Sequence, residues 1–163
     1  MDVALCGSAL ASGLEALLSR YGMELERVAD NTPIPGSHFG APEAGLIENR
    51  LLVRDDTPIH SALHESCHYI CMEEQRRAHL HTDAGGDYAE ENGVCYLQIL
   101  LAAELPEFGQ ARMLQDMDSW GYTFRLGSSS SWFHKDAEDA REWLLHHRLI
   151  DQDDTPTWRL RSP

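Results

Sequence analysis

His64-Glu65-Ser66-Cys67-His68 places two imidazoles four residues apart, with a carboxylate directly after the first. No other stretch constrains the fold as much, because residues i and i+4 lie one above the other only on an α-helix. From such a helix both rings reach one metal ion off a single rigid element, which is the H-E-x-x-H arrangement of zinc hydrolases. Glu65 then projects about 100° round the helix axis. From there it is placed to take a proton from water at the metal without being a ligand itself. His64 and His68 are therefore the candidate ligands of a Zn2+ ion, and Glu65 is the candidate general base.

A short motif of this kind also arises by chance, so its context decides. The stretch from Thr57 to Ala78 reads as one helix, with Thr57 as its cap and Pro58 at the first helical position. Ile59, Leu63, Cys67 and Ile70 form one apolar stripe along it. His64 and His68 flank the stripe, where a ligand pair is half buried yet faces a cleft, and Glu65 points away from it.

The candidates for a third ligand are His79, His81, Asp83, Asp87, Glu90 and Glu91. Helical periodicity returns from Asp87 to Ala103, and Glu90 stacks there with Val94, Leu97 and Leu101, all apolar. A carboxylate heading a core stripe is costly to bury unless a cation receives it, and zinc is the cation this reading supplies. Glu91 aligns instead with Cys95 and Gln98, a more polar face suited to an exposed residue. The reading favours Glu90; the alternative is that both glutamates are solvated first-turn residues favourable to the helix dipole.

These residues carry a resemblance. His64-Glu65-Ser66-Cys67-His68, followed by Glu90-Glu91-Asn92-Gly93-Val94-Cys95-Tyr96-Leu97 and Leu100-Leu101, resembles the gluzincin pattern of the small ImmA/IrrE-type metallopeptidases and minigluzincins. The family's second helix carries a Glu, a small residue three places on, an aromatic at six and paired leucines. Glu90, Gly93, Tyr96, Leu100 and Leu101 match that register, and a shift to Glu91 loses most of the matches. Gly45-Leu46-Ile47-Glu48-Asn49-Arg50-Leu51-Leu52-Val53 resembles the strand pair bordering the gluzincin cleft, where an edge strand pairs with an extended peptide. The resemblance covers about residues 45–106. It implies a zincin-like metallopeptidase with zinc on His64, His68 and Glu90, Glu65 as catalytic base, and a peptide or protein as substrate. The chain departs from the pattern at Ala102-Ala103-Glu104-Leu105-Pro106, where family members often read Leu-Leu-Met-Pro. The family's oxyanion-steadying His or Tyr has His81, Tyr88, Tyr122 and His134 as counterparts by residue type alone.

Composition bounds the rest. At 163 residues and 42% hydrophobic, the chain suffices for one domain over 1–163 with one core, and no apolar run is long enough to span a membrane. A net charge of −14, with 13 scattered Lys and Arg, argues against nucleic acid as a partner. Cys6, Cys67, Cys71 and Cys95 are distributed like reduced thiols of a cytoplasmic protein rather than a disulfide framework, and the N-terminus does not read as a signal peptide. Cys71 shares the His64/His68 face and is a conceivable ligand, though a buried small hydrophobe is the expected role.

Ser8 to Tyr21 reads as a first helix stopped by Gly22, Met23 to Ala29 as a strand, and the Pro- and Gly-rich residues 31–45 as a loop whose His38 is within conceivable reach of the metal. Residues 107–118 read as a helix, Trp120 to Leu126 as a strand, and Gly127 to Ser131 as a flexible connection or tight turn. Lys135 to Arg148 carries a packing stripe of Ala137, Ala140, Trp143, Leu144 and His147, and residues 150–163 read as an extended tail. The expectation is an α+β, zincin-like domain, helices packed on a small mixed or antiparallel sheet. Two rival readings are a metal-stabilised, non-catalytic interaction module and a metal-free helical protein with an accidental motif.

Overall fold

Short apolar runs broken by turn residues predict small strands, and amphipathic runs between them predict helices. A computed structural model describes residues 2–7, 10–36 and 41–162 and shows both kinds of element. His38 lies outside the described residues. Helix α1 (Leu10–Ser19) turns at Gly22, whose φ of 73° is the left-handed conformation glycine adopts freely, into strand β1 (Glu24–Arg27). Strands β2 (Gly45–Ile47) and β3 (Arg50–Val53) form an antiparallel hairpin around Glu48 and Asn49, with Ile47 opposite Arg50. β1 joins β3 in parallel, Leu25 opposite Leu51, so the sheet is mixed, with order β1-β3-β2.

The outer edge of β2 is not free. Thr82 N–H donates to Leu46 O (2.8 Å), Glu48 N–H donates to Leu80 O (3.0 Å), and Ile47 bridges His81. Residues 80–82 thus fill the edge on which an extended peptide was expected to pair, and Leu80 is buried beneath it.

Helices follow: α2 (Ile59–Cys71), α3 (Glu74–Ala78), α4 (Tyr88–Ala102), α5 (Gly109–Trp120), α6 (Ser129–Lys135) and α7 (Glu138–His146). The architecture is α+β, seven helices and three strands among the described residues. The expected helix Thr57–Ala78 is two helices. Thr57 does not cap α2; its hydroxyl accepts from Arg54 N–H (2.9 Å), and the first N–H of the helix, that of Ile59, is satisfied by Ala4 O of the N-terminal segment (2.8 Å). At the other end Met72 turns extended. The last carbonyls of α2, orphaned as at any helix end, are taken by two arginines. Arg77 donates to Met72 O (2.6 Å), and Arg161 donates to Ile70 O through its backbone (2.9 Å) and to Cys71 O through its guanidinium (3.2 Å). Among the described residues, 150–162 form no helix or strand, and this segment docks on α2 through Arg161.

α4 is buried all round from Gly93 to Ala102, the mark of a central helix, and packs on α2, α5 and α7. Asp87 caps it by accepting from Glu90 N–H (2.9 Å). Gly93 lies against the Trp143 ring of α7. The core gathers Leu14, Leu18, Leu51, Leu63, Leu97 and Leu101, all fully buried. The strand expected over Trp120–Leu126 does not form: Gly121, at φ 104°, ends α5 in a left-handed cap and Tyr122 N–H returns to Met117 O (3.1 Å). Ser128 caps α6 by accepting from Ser131 N–H (3.1 Å), and Ser129 is buried against α5, so the serine run starts a helix rather than a flexible connection. Among the described residues no helix is long and apolar enough to cross a membrane.

Candidate metal centre

The 64–68 stretch lies wholly on α2, as its spacing demands, and the two imidazoles sit edge to face with ring centroids 4.8 Å apart. Both are mostly withdrawn from water, with His68 only 7% exposed. Each turns its Nε2 toward α4. There the carboxylate of Glu91 meets them, Oε1 at 3.1 Å from His64 Nε2 and Oε2 at 3.2 Å from His68 Nε2. One ligand atom from each of the three lies within 4.8 Å of the others.

Glu90 is not part of this cluster. It is 2% exposed, as its apolar stripe predicts, but the cations that receive it are arginines. Arg76 grips it with both guanidinium nitrogens (2.9 and 2.5 Å), and Arg161 adds a third bond (3.1 Å). Any cation satisfies a buried carboxylate, and these two arrive from 14 residues before Glu90 and 71 after it. The stripe of Glu91, Cys95 and Gln98, whose polarity predicts an exposed face, is the polar wall that α4 turns toward α2; Cys95 is 7% exposed and Gln98 fully buried. A polar stripe at steps of four and three in an otherwise apolar helix was the signal available for it.

The remaining candidates fall elsewhere. His81 takes part in the β2 edge pairing, Asp87 caps α4, Asp83 accepts from Gly85 N–H (3.1 Å), and His79 ends α3. Cys71 is buried in the core, and all four cysteines are free thiols. Of the residues considered for an oxyanion role, His134 is exposed on α6 and Tyr88 stands 83% exposed at the start of α4. Tyr122 faces His64, ring centroids 5.7 Å apart.

Three side chains behind the histidines went unnoticed in the sequence as a unit. Gln98 Oε1 accepts from His64 Nδ1 (2.9 Å), which leaves Nε2 as the ring nitrogen facing Glu91. Gln98 Nε2 donates to His60 O (3.0 Å) and reaches the Tyr122 hydroxyl at 3.4 Å. That hydroxyl also lies 3.2 Å from His60 Nδ1.

The electrostatics match the geometry. Hydrogen bonds from both histidines hold the Glu91 carboxyl far below the usual carboxylate range, against the opposing effect of burial. Burial works against a charge on His64, but its contacts with Cys95 and Glu91 outweigh that and raise its pKa well above the ordinary 6.5. Burial also raises the Glu65 carboxyl, opposed by the two histidines and reinforced by Glu91 and Glu43. His60 is pushed down to about 4 by burial and by the charge of His64. A cavity of about 410 Å3 opens from His64 and Glu91 between Tyr122, Phe124, Trp132 and Ala140.

The donor set suits zinc. Two imidazole nitrogens and a carboxylate, each about 2.0–2.2 Å from a tetrahedral ion, stand about 3.3 Å from one another. Nε2 of His64 and of His68 lie 3.1 and 3.2 Å from the two separate oxygens of the Glu91 carboxylate, and one ligand atom from each residue lies within 4.8 Å of the others, so small side-chain shifts bring the three to that spacing. His68 turns its Nε2 to the cluster, and its buried Nδ1 has no partner among the described residues. No protein-family model, curated protein or solved structure matches this chain.

Proposed function

We propose that the chain is a zinc-dependent hydrolase acting on peptide bonds, with the ion held by His64, His68 and Glu91 and with Glu65 as general base. The observation that carries this reading is the gathering of His64, His68 and Glu91 from two facing helices, with one ligand atom of each within 4.8 Å of the others. Glu65 stands beside it on the same helix turn, its proton affinity raised by burial. When bound, a zinc ion supplies Lewis acidity at that point. Glu65 takes the proton of the attacking water and then returns it to the leaving amine, and a carboxylate shifted toward neutral pH is the better base for that exchange. Gln98 keeps the Nδ1 proton of His64 turned away from the metal. The peptide bond as substrate is supported by the gluzincin resemblance of the motif and not by the chemistry of the cluster itself. With β2's outer edge filled by residues 80–82, the substrate enters through the cavity beside Tyr122 and Phe124.

The filled edge also favours a second reading, a metal-stabilised module without catalysis, because the main-chain docking site of an extended peptide is closed. Glu65→Gln separates the two. The variant is expected to keep its zinc and lose cleavage of a mixed peptide library that the wild type cuts. Full cleavage by the variant refutes the role of Glu65. Zinc-bound wild type that cuts no member, and unfolds when the metal is chelated, supports the module.

A further inference from the structure

We infer that Gln98 is a positioning residue that sets both the tautomer of His64 and the direction of the Tyr122 hydroxyl from a single buried amide. The inference rests on the zinc reading of the His64/His68/Glu91 cluster.

Gln98 lies in the middle of α4, two turns beyond Glu91, and is fully buried. A glutamine there is costly unless its groups are met, and each of them is. Its oxygen is committed to His64 Nδ1 at 2.9 Å, so its nitrogen is the donor. One N–H goes to His60 O at 3.0 Å; the other is shared between the Tyr122 oxygen at 3.4 Å and Met113 Sδ at 3.5 Å. The amide cannot turn over without setting its NH2 against His64 Nδ1–H and its oxygen against His60 O. Its orientation is thereby fixed, and with it the tautomer of His64 that presents an unprotonated Nε2 to a metal.

The same fixed amide constrains Tyr122. Neutral His60 carries one ring proton, and its Nε2 is buried without a partner among the described residues. With that proton on Nδ1, His60 donates to Tyr122 across 3.2 Å, and Nε2 is left as a bare lone pair instead of an orphaned N–H, the rarer defect in protein interiors. The Tyr122 oxygen then accepts from both Gln98 and His60. Its own proton has no partner inside the network and is left for the cavity that His64 and Glu91 share with it. Gln98 therefore couples a ligand-bearing ring to a hydroxyl donor at the edge of the same cavity.

The test compares wild type, Gln98→Met and Gln98→Glu for zinc affinity by chelator competition and for peptide hydrolysis. Gln98→Met is similar in size but offers neither acceptor nor donor, and its zinc affinity is expected to fall about 10- to 100-fold. Gln98→Glu still accepts from His64 Nδ1 and is expected to recover most of that affinity, while its kcat stays low because a carboxylate at position 98 cannot donate to Tyr122 and instead draws the hydroxyl proton away from the cavity. A packing role alone does not produce this split. Nitrogen NMR of labelled histidines in the zinc-loaded wild type is expected to show His64 bound through Nε2 with a slowly exchanging Nδ1 proton, a result that does not depend on the variants folding. Unchanged zinc affinity in folded Gln98→Met, or His64 bound through Nδ1, overturns the inference alone. Wild type that binds no zinc overturns the zinc reading and the inference with it.

Discussion

Glu90 and Glu91 are adjacent, yet the structure gives them opposite consequences on removal. The Glu90 side chain is 3% exposed and accepts from Arg76 at 2.9 and 2.5 Å and from Arg161 at 3.1 Å. Breaking a buried ion pair by deleting one partner costs about 3–5 kcal/mol, because the remaining charge stays desolvated. Here Arg76 is 31% exposed and Arg161 19% exposed, so both regain some hydration and the lower end applies, about 3 kcal/mol. For a domain of this size that lowers Tm by about 6–12 °C. Glu91 is 45% exposed and, among the described residues, its ion pairs are with the two histidines, so its loss from the metal-free chain costs about 1 kcal/mol or less. In the proposed zinc site, however, it is the one carboxylate, and its loss is expected to weaken zinc by more than the roughly 10- to 100-fold typical of an outer-shell change. The assay is elemental analysis of zinc per chain together with thermal unfolding, on wild type, Glu90→Ala and Glu91→Ala. The expected pattern is a destabilised Glu90→Ala that keeps its zinc and a stable Glu91→Ala that does not. A folded Glu90→Ala without zinc, beside a zinc-bound Glu91→Ala, refutes the assignment.

Three further expectations follow from the same contacts. His60, held down at about 4 by burial and by His64, stays neutral in the folded chain while the unfolded chain takes up a proton below about 6.5. Stability therefore falls as pH drops through that window, by about 3 kcal/mol from this group; His60→Phe flattens the acid limb of urea midpoints against pH, and an unchanged limb refutes the account. At Gly93 an added Cβ meets Trp143 Cε3 at 2.6 Å and Cζ3 at 2.9 Å, so Gly93→Ala forces α4 and α7 apart. That overpacking costs about 1–3 kcal/mol, more than the roughly 1 kcal/mol gained in helix propensity, and a raised Tm contradicts it. Chelation is expected to lower Tm, the stabilisation following RT ln(1 + L/Kd) with L the free zinc concentration, and a Tm indifferent to zinc speaks against a site in the native state.

Much of this was legible in the chain. The i, i+4 spacing of His64 and His68 needs only a helix to bring the rings together, and the apolar stripe of Ile59, Leu63, Cys67 and Ile70 supplied one. The helix beginning at Asp87 and the packing stripe through Ala140 and Leu144 rest on equally local patterns, whereas the strand pair of Leu46-Ile47 and Leu51-Leu52-Val53 was expected from the family resemblance. The breaks were less visible. α2 stops at Cys71, where Arg77 and Arg161 take the carbonyls of Met72 and Cys71, and the periodicity running on through Ala78 carries no sign of that. The serines from 128 onward read as a flexible connection until Asp118 and Leu114 of α5 receive Ser129.

The sequence by itself determined that two imidazoles and a carboxylate share one helix, and that one of two adjacent glutamates heads a buried stripe on another. Tertiary structure alone decided which glutamate faces the histidines. Glu90 and Glu91 differ by about 100° round α4, so the choice belongs to the angle at which α4 packs on α2. That angle reflects contacts no local window contains: Gly93 against Trp143, Gln98 between His60 and His64, and Arg76 with Arg161 closing on Glu90. Helical periodicity reports which side of a helix is buried. It does not report what the buried side meets.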